Sequence, residues 1–297
     1  MSLDNFIPEV WSARLLENLN KNHVFVGLCN RDYEGEIKGY GDQVKINSVG
    51  RVTVGTYTKN TDITDPETLS DSQKVLLINQ AKYFNFQIDS IDKAQQNPKV
   101  MDGAMAEASY ALADASDQYV SGLYTEAPAG NCIGSDEAPI TFTAATDAYN
   151  YLVKVAVKLD EANVTKAARW IAVPAWYHAL LLLDNRFVQA GTNVADNVLR
   201  NGEVGKAAGF NVFVSNNVAK TQTTSGSGES EVTTEQFKIM AGYEKTISYA
   251  EQIVELSAYN PEKRFADALK GLHVYGAKVV RPDSLSVLTV ARPTTLI

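Results

Sequence analysis

Between Pro98 and Pro128 no proline interrupts the chain, and Met101, Ala104, Met105, Ala108, Leu112, Ala115 and Tyr119 recur there on one stripe. Asn97 is a good N-cap and Pro98 suits the first helical position. The spacing predicts one helix from Asn97 to about Glu126, close to 45 Å long at about 1.5 Å per residue. Its alanines let other elements approach closely. The helix reads as a structural strut and carries no chemistry.

Ahead of the strut the period changes. Val44 and Ile46, then Val52 and Val54, alternate with polar residues on either side of Ser48-Val49-Gly50, which predicts strand. A turn-rich polar stretch, Thr58 to Glu67, follows, and then a second strand from Val75-Leu76-Leu77-Ile78 through Tyr83 to Ile88. Two long strands joined by a long polar excursion describe a hairpin that projects from the body, and excursions of that length are commonly functional or disordered. Residues 1–34 read as an arm. Phe6, Ile7, Val10, Trp11, Leu15, Leu16 and Leu19 recur at helical spacing after Pro8, an apolar stripe in search of a partner.

Residues 129–245 read as a separate α/β lobe. Asp147 is placed to cap a helix with the stripe Tyr149, Leu152, Val153, Ala156 and Leu159. Trp170 to Val173 is a short buried strand, and Pro174 begins a helix through Leu183. Gly205 to Phe210 leads into the strand Val212 to Ser215, and a bulky residue at Gly209 is expected to block a close turn before Phe210. Thr221 to Glu235, rich in Ser, Thr and Gly, reads as a solvated loop. Strands return at Gln252 to Ser257, Leu272 to Val280 and Leu285 to Val290.

The 297 residues are 45 % hydrophobic and 21 % charged, a globular balance for one large domain or two intimately connected lobes. The net charge of −8 is broken by no cluster of cations, which argues against tight or sequence-specific nucleic-acid binding. Cys29 and Cys132 make no CxxC and no disulfide framework, so a reduced cytoplasmic setting is the simplest expectation. The acidic start Met1 to Glu9 lacks a signal peptide's basic and apolar regions, and the apolar run Ala179 to Leu183 is too short for a bilayer. No membrane partner is expected.

The search for chemistry returns little. His23, His178 and His273 lie in separate segments, none paired at helical spacing, and HExxH, GxxxxGK[ST], GxSxG and a complete GxGxxG are all missing. Asp62, Asp65, Glu67 and Asp71 miss the EF-hand spacing and read as turn-forming acids. A chain of this size without a concentrated acid/base or metal constellation points to a structural or binding protein, with no catalytic residue, metal or cofactor.

Several segments, taken in order, resemble the major capsid proteins of tailed bacteriophages. These are Gly50-Arg51-Val52-Thr53-Val54 with Tyr57-Thr58-Lys59, Gln80 to Phe84, Asp89 to Gln95, Gly205 to Phe210 with Val214 to Asn217, and Gly271 to Val280. The resemblance implies an α+β chain of the Hong Kong 97-like phage capsid fold. It implies an N-terminal arm (1–34), an E-loop hairpin (35–75), a P-domain (76–128 and 246–281, spine helix 97–126) and an A-domain (129–245 and 282–297). It further implies self-assembly into hexamers and pentamers of an icosahedral shell around packaged double-stranded DNA, in the virion, after assembly in the bacterial host cytoplasm. Scaffolding, portal and decoration proteins would be further partners, and contact with DNA would be non-specific.

By the same resemblance, Arg51, Tyr57, Lys59, Asn60, Asp62, Asp65 and Glu67 belong to the inter-subunit hairpin, whose tip is Lys59 to Leu69. Phe6, Trp11 and Leu15 clasp a neighbour, and Gly205, Gly209 and Phe210 serve A-domain contacts. The arm begins almost at Met1, which implies a separate scaffolding protein or a chain already trimmed. Some relatives weld the shell through a Lys–Asn isopeptide bond; Lys59 and Asn60 alone do not establish one. Two other readings compete. An encapsulin-like nanocompartment shell shares the fold and encloses cargo, and residues 8–20 suit its inward helix. A cytosolic hydrolase would need a converging polar pocket that the sequence does not name.

Overall fold

The structure is a computed structural model that describes residues 23–33, 40–49, 54–60, 62, 71–89, 99–184, 186, 205–225, 232–263 and 266–293. The long helix is α1 (Lys99–Ser121), and a 3₁₀ turn over Gly122–Glu126 carries the winding to the expected end. Asn97 and Pro98 lie outside the described residues. The inward stripe of α1 buries Met105, Leu112, Ala113 and Val120, and with them Ser109, Ser116 and Asp117.

A two-stranded hairpin pairs β1 (Gln43–Val49) with β2 (Asp71–Leu77) over seven residues, from Gln43 opposite Leu77 to Val49 opposite Asp71. Alternation sets its faces. Val44, Ile46 and Leu76 turn inward with Ile78 beyond the strand end, and Val75 and Leu77 turn outward. The stretch predicted as one strand from Val75 to Ile88 is two. The chain breaks at Ile78-Asn79, where Ile78 N–H donates to Asp42 O and Ile78 O accepts from Gly41 N–H, and β3 (Gln80–Asp89) enters another sheet. A run of strand-forming residues shows its period but not a change of sheet.

That second sheet has the order β10–β11–β3, all antiparallel, with β10 at Ile247–Tyr259 and β11 at Ala266–Val279. Helix α1 lies against it: Phe84 packs on Leu112 and Ala113, and Met105 on Leu269.

The third sheet holds most of the core. Its seven strands are β4 (Cys132–Ile133), β5 (Arg169–Val173), β6 (Lys206–Ala207), β7 (Phe210–Val214), β8 (Lys220–Ser225), β9 (Val232–Tyr243) and β12 (Ser286–Ala291). Their order is β4–β12–β9–β5–β7–β6, with β8 paired to the outer part of β9. Central β5 is buried at every residue, as its unbroken apolar run predicts. Helices α2 (Ala145–Glu161) and α3 (Ala175–Leu183) bury Leu152, Val155, Leu159, Tyr177, Leu180 and Leu181 in one cluster with Trp170, Ile171, Ile239 and Met240. The buried Tyr177 hydroxyl donates to Ala148 O at 2.8 Å, which ties α3 to the first turn of α2.

Two expectations need correction. Thr221 to Glu235 is no simple loop: β8 and the start of β9 pair from Lys220–Phe237 to Ser225–Val232. Thr is polar but β-branched, so a Thr-rich stretch reads as loop by composition and folds as strand by shape. The inward stripe of α2 is Ala148, Leu152, Val155 and Leu159, whereas Val153 and Val157 stand exposed on the outer face. Asp147 does cap α2, but from its third position. Its carboxylate reaches back to the N–H groups of Thr143 and Ala144, both at 3.0 Å, because the N-cap residue Ala144 has no acceptor.

Candidate assembly surfaces

In the excursion between β1 and β2, Val54 at 93 % accessibility is the most exposed large hydrophobic residue among those described, and Tyr57 is exposed at 71 %. Lys59, Asn60 and Asp62 are exposed beside them, and Asn60 adopts a left-handed turn at φ 65°. Tyr57, Lys59, Asn60 and Asp62 are thus all exposed in the stretch of chain between β1 and β2. Arg51, Asp65 and Glu67 lie outside the described residues, as do Phe6, Trp11 and Leu15.

The Gly205–Phe210 segment is a hairpin corner. Ala207 pairs with Phe210, and the two residues between them, Ala208 (φ 49°) and Gly209 (φ 84°), both take positive φ. Two such residues make the tight turn that matches strand twist. Gly205 is exposed, and its carbonyl accepts from Val212 N–H at 3.2 Å. Nothing lies within 4 Å of a Cβ built on Gly209, so a larger residue there meets no obstruction and is resisted by backbone conformation alone. Phe210 is fully buried in the subunit's own core, so it positions the turn and does not itself reach a neighbour.

Sequence reasoning missed a further apolar surface. Val153, Val157 and Leu183 are exposed large aliphatics on α2 and α3. The stripe expected for α2 runs through Val153 and omits Val155, and only packing against the sheet decides which of the two turns inward.

Ionisable groups that looked scattered do converge, in the interior. Glu251 on β10 accepts from Tyr249 Oη at 2.8 Å, faces His273 Nε2 at 3.0 Å and pairs with Arg31. Burial raises the Glu251 carboxyl, but the His273 hydrogen bond and the charge of Arg31 outweigh it and hold the group at about 2. His23 Nε2 stands 2.9 Å from Ser116 Oγ, and burial lowers its pKa to about 4. Asp117 accepts the N–H groups of Val24 at 2.7 Å and Val26 at 3.0 Å, while burial keeps its pKa raised. The cluster clamps residues 23–31 between α1 and β10, and the Glu251 and His273 side chains are almost wholly closed to solvent. It is therefore built to hold the chain. His23 and His273 are 250 positions apart, and no spacing rule could have joined them.

Among the described residues, no three His, Cys, Asp or Glu side chains could hold a metal ion, and no helix is long and apolar enough to cross a membrane.

Solved structures share this architecture. The chain is similar to a protein of Mycobacterium phage Che8, at 28 % identity and a TM-score of 0.70 over 90 % of each chain. It is similar to a chain of the capsid of cyanophage P-SCSP1u, at 18 % identity and a TM-score of 0.69 over 91 % of this chain and 89 % of that one. A virus-like particle from Pyrococcus furiosus shares the fold at 13 % identity and a TM-score of 0.54, over 93 % of this chain and 96 % of that one. No curated protein sequence matches. Residues 49–288 match the family described as Phage capsid protein. With a mixed helix and sheet fold of the Hong Kong 97 type and a family match over most of its length, the chain belongs to the phage capsid protein family.

Proposed function

We propose that the chain is the major capsid protein of a tailed phage, assembling into hexamers and pentamers of an icosahedral shell that encloses double-stranded DNA. The observation that carries this reading is the exposed hairpin: a β-ribbon rooted in the body, with uncovered Val54 and Tyr57 and a polar turn at Lys59-Asn60. A monomer gains nothing by holding such apolar surface in water, whereas a shell subunit buries it on a neighbour. Closed rings need head-to-tail contacts, and a second type of contact must join ring to ring.

On this reading the hairpin is the E-loop, and α1 with the three-stranded sheet is the P-domain. The seven-stranded lobe is the A-domain, which turns Gly205 and the Ala208-Gly209 corner toward ring neighbours. The expected arm of residues 1–34 is shorter than that: Phe25, Val26 and Cys29 pack in the subunit's own core, so the segment before residue 23 is what clasps an adjacent subunit. The net charge of −8 suits a container that neither binds tightly nor condenses the polyanion inside it. Scaffolding and portal proteins would act during assembly in the host cytoplasm, a decoration protein would act on the finished shell, and the subunit's own role is structural.

Light scattering with negative-stain microscopy on the purified chain, with and without a scaffolding protein, tests the reading. Capsomer rings or shells are expected, and shells recovered from a phage lysate are expected to protect DNA from nuclease. Small DNA-free shells that retain a cargo protein would replace it with a nanocompartment. A chain that stays monomeric with scaffold present would overturn both.

A further inference from the structure

The chain leaves β2 directly over β11, and the crossing falls on Gly276. A Cβ at this glycine would overlap the Leu77 carbonyl oxygen and lie 3.0 Å from both Cα and Cδ1 of Ile78. Around the crossing, Val44, Ile46, Leu76 and Ile78 pack on Ala250 and Val274, with Tyr33, Leu272 and Val280 at the margin. This cluster is separate from the main core and is what joins the hairpin to the body.

We propose that Gly276 sets the pitch at which the β1–β2 hairpin leaves the subunit, and so the geometry in which it meets a neighbouring copy. The first half stands on the crossing itself, and the second rests on the shell reading above. Relieving an added methyl against a backbone carbonyl takes a shift on the order of 1 Å. Levered across strands about 4.8 Å apart, that shift tilts the ribbon by about 12°. Seven paired residues at about 3.3 Å each make an arm of about 23 Å, so its outer end moves by about 5 Å. A displacement of that size is larger than a side-chain contact. A mount only one hydrogen atom wide at Gly276 therefore governs a contact formed far from it.

The test is a spin-label distance measurement on the unassembled full chain, with labels at Val54→Cys and Tyr110→Cys in a Cys132→Ser background, combined with shell microscopy. Gly276→Ala is expected to shift the mean distance by several ångströms and to abolish shells of wild-type diameter. An unchanged distance overturns the proposal whatever the shells do. A shifted distance with shells of normal yield and diameter also overturns it, by showing that pitch does not govern the contact. If the wild-type chain forms no shells with a scaffolding protein present, the shell reading fails, and the distance measurement still decides whether Gly276 sets the pitch. Should Gly276→Ala not fold, Val44→Ala hollows the same mount. A broadened distance distribution is then expected, and an unchanged width would reject the idea.

Discussion

Glu251 and His273 face each other on neighbouring strands of the three-stranded sheet, Oε2 to Nε2 at 3.0 Å, both closed to solvent. Arg31 reaches the same carboxylate, and the His23 ring stands edge-on to Tyr249 at 6.4 Å between centroids. The root of the arm is thus fastened by ionisable side chains.

Acid should therefore weaken the subunit in two stages. His23 is lowered from 6.5 to about 4, so the unfolded chain takes up a proton that the native state refuses, and stability falls as pH drops through that window. The shift is worth about 3 kcal/mol at full extent. Glu251, lowered from 4.5 to about 2, supplies stability above 4.5 that is lost on further acidification. Urea midpoints from pH 7 to 4.5 should decline steeply for wild type and more gently for His23→Gln. Parallel declines would show that other groups dominate.

Lys238 is buried and Asp136 is not, although Nζ and Oδ1 are 2.5 Å apart. Removing the acid strands a buried ammonium, with Thr289 Oγ1 at 3.3 Å as its remaining partner. Asp136→Ala should cost about 2 kcal/mol. Lys238→Met removes the charge and keeps an unbranched stem against Tyr124, so it should cost less. Denaturation of the two variants checks the order, and the reverse ranking would refute the asymmetry.

The Ala208-Gly209 corner makes opposite predictions at adjacent positions. Ala208→Asn places a residue tolerant of positive φ where alanine is strained, and should stabilise by a few tenths of a kcal/mol. Gly209→Val puts a β-branched residue at φ 84° and should cost about 1–3 kcal/mol. Equal stability of the two variants would argue against the turn.

Deleting residues 60–68 shortens the hairpin excursion without touching its mount. The variant should keep its melting temperature within a few degrees and lose most of its shell yield. Shells at normal yield would remove the hairpin from assembly.

Local pattern made much of this fold legible. Trp170 to Val173, the helix after Pro174 and the three late strands read correctly because each carries its own period and its own punctuation. What sequence could not supply was the partner of each element. The break at Ile78-Asn79 is invisible because both halves remain strand. Val153 looks like core until the sheet chooses Val155 instead. Among the candidate site residues, exposure at Tyr57, Lys59, Asn60 and Asp62 follows from a polar, turn-rich stretch. Burial of Phe210 is not legible in the same way, because an aromatic beside a glycine turn gives no sign of which side it faces.

Thr246 has a mechanical consequence. Of the chain's three passages between the large sheet and the three-stranded one, the first goes through α1, and the other two run from β9 to β10 and from β11 to β12 with no α-helix between. Thr246 holds these latter two: its hydroxyl accepts from Tyr243 N–H and meets Ser284 Oγ at 2.9 Å, and its carbonyl accepts from Val280 and Arg281. One buried point alone would be a pivot, but the main core continues past it, with Tyr249, Ala277 and Val279 packed in the same cluster as Ile239 and Leu288, and so the crossing resists bending. Load applied to either lobe is carried through, and the subunit behaves as a stiff tile. When a container built from such tiles swells or flattens, the strain must be taken up at the seams between tiles and in the appendages that span them.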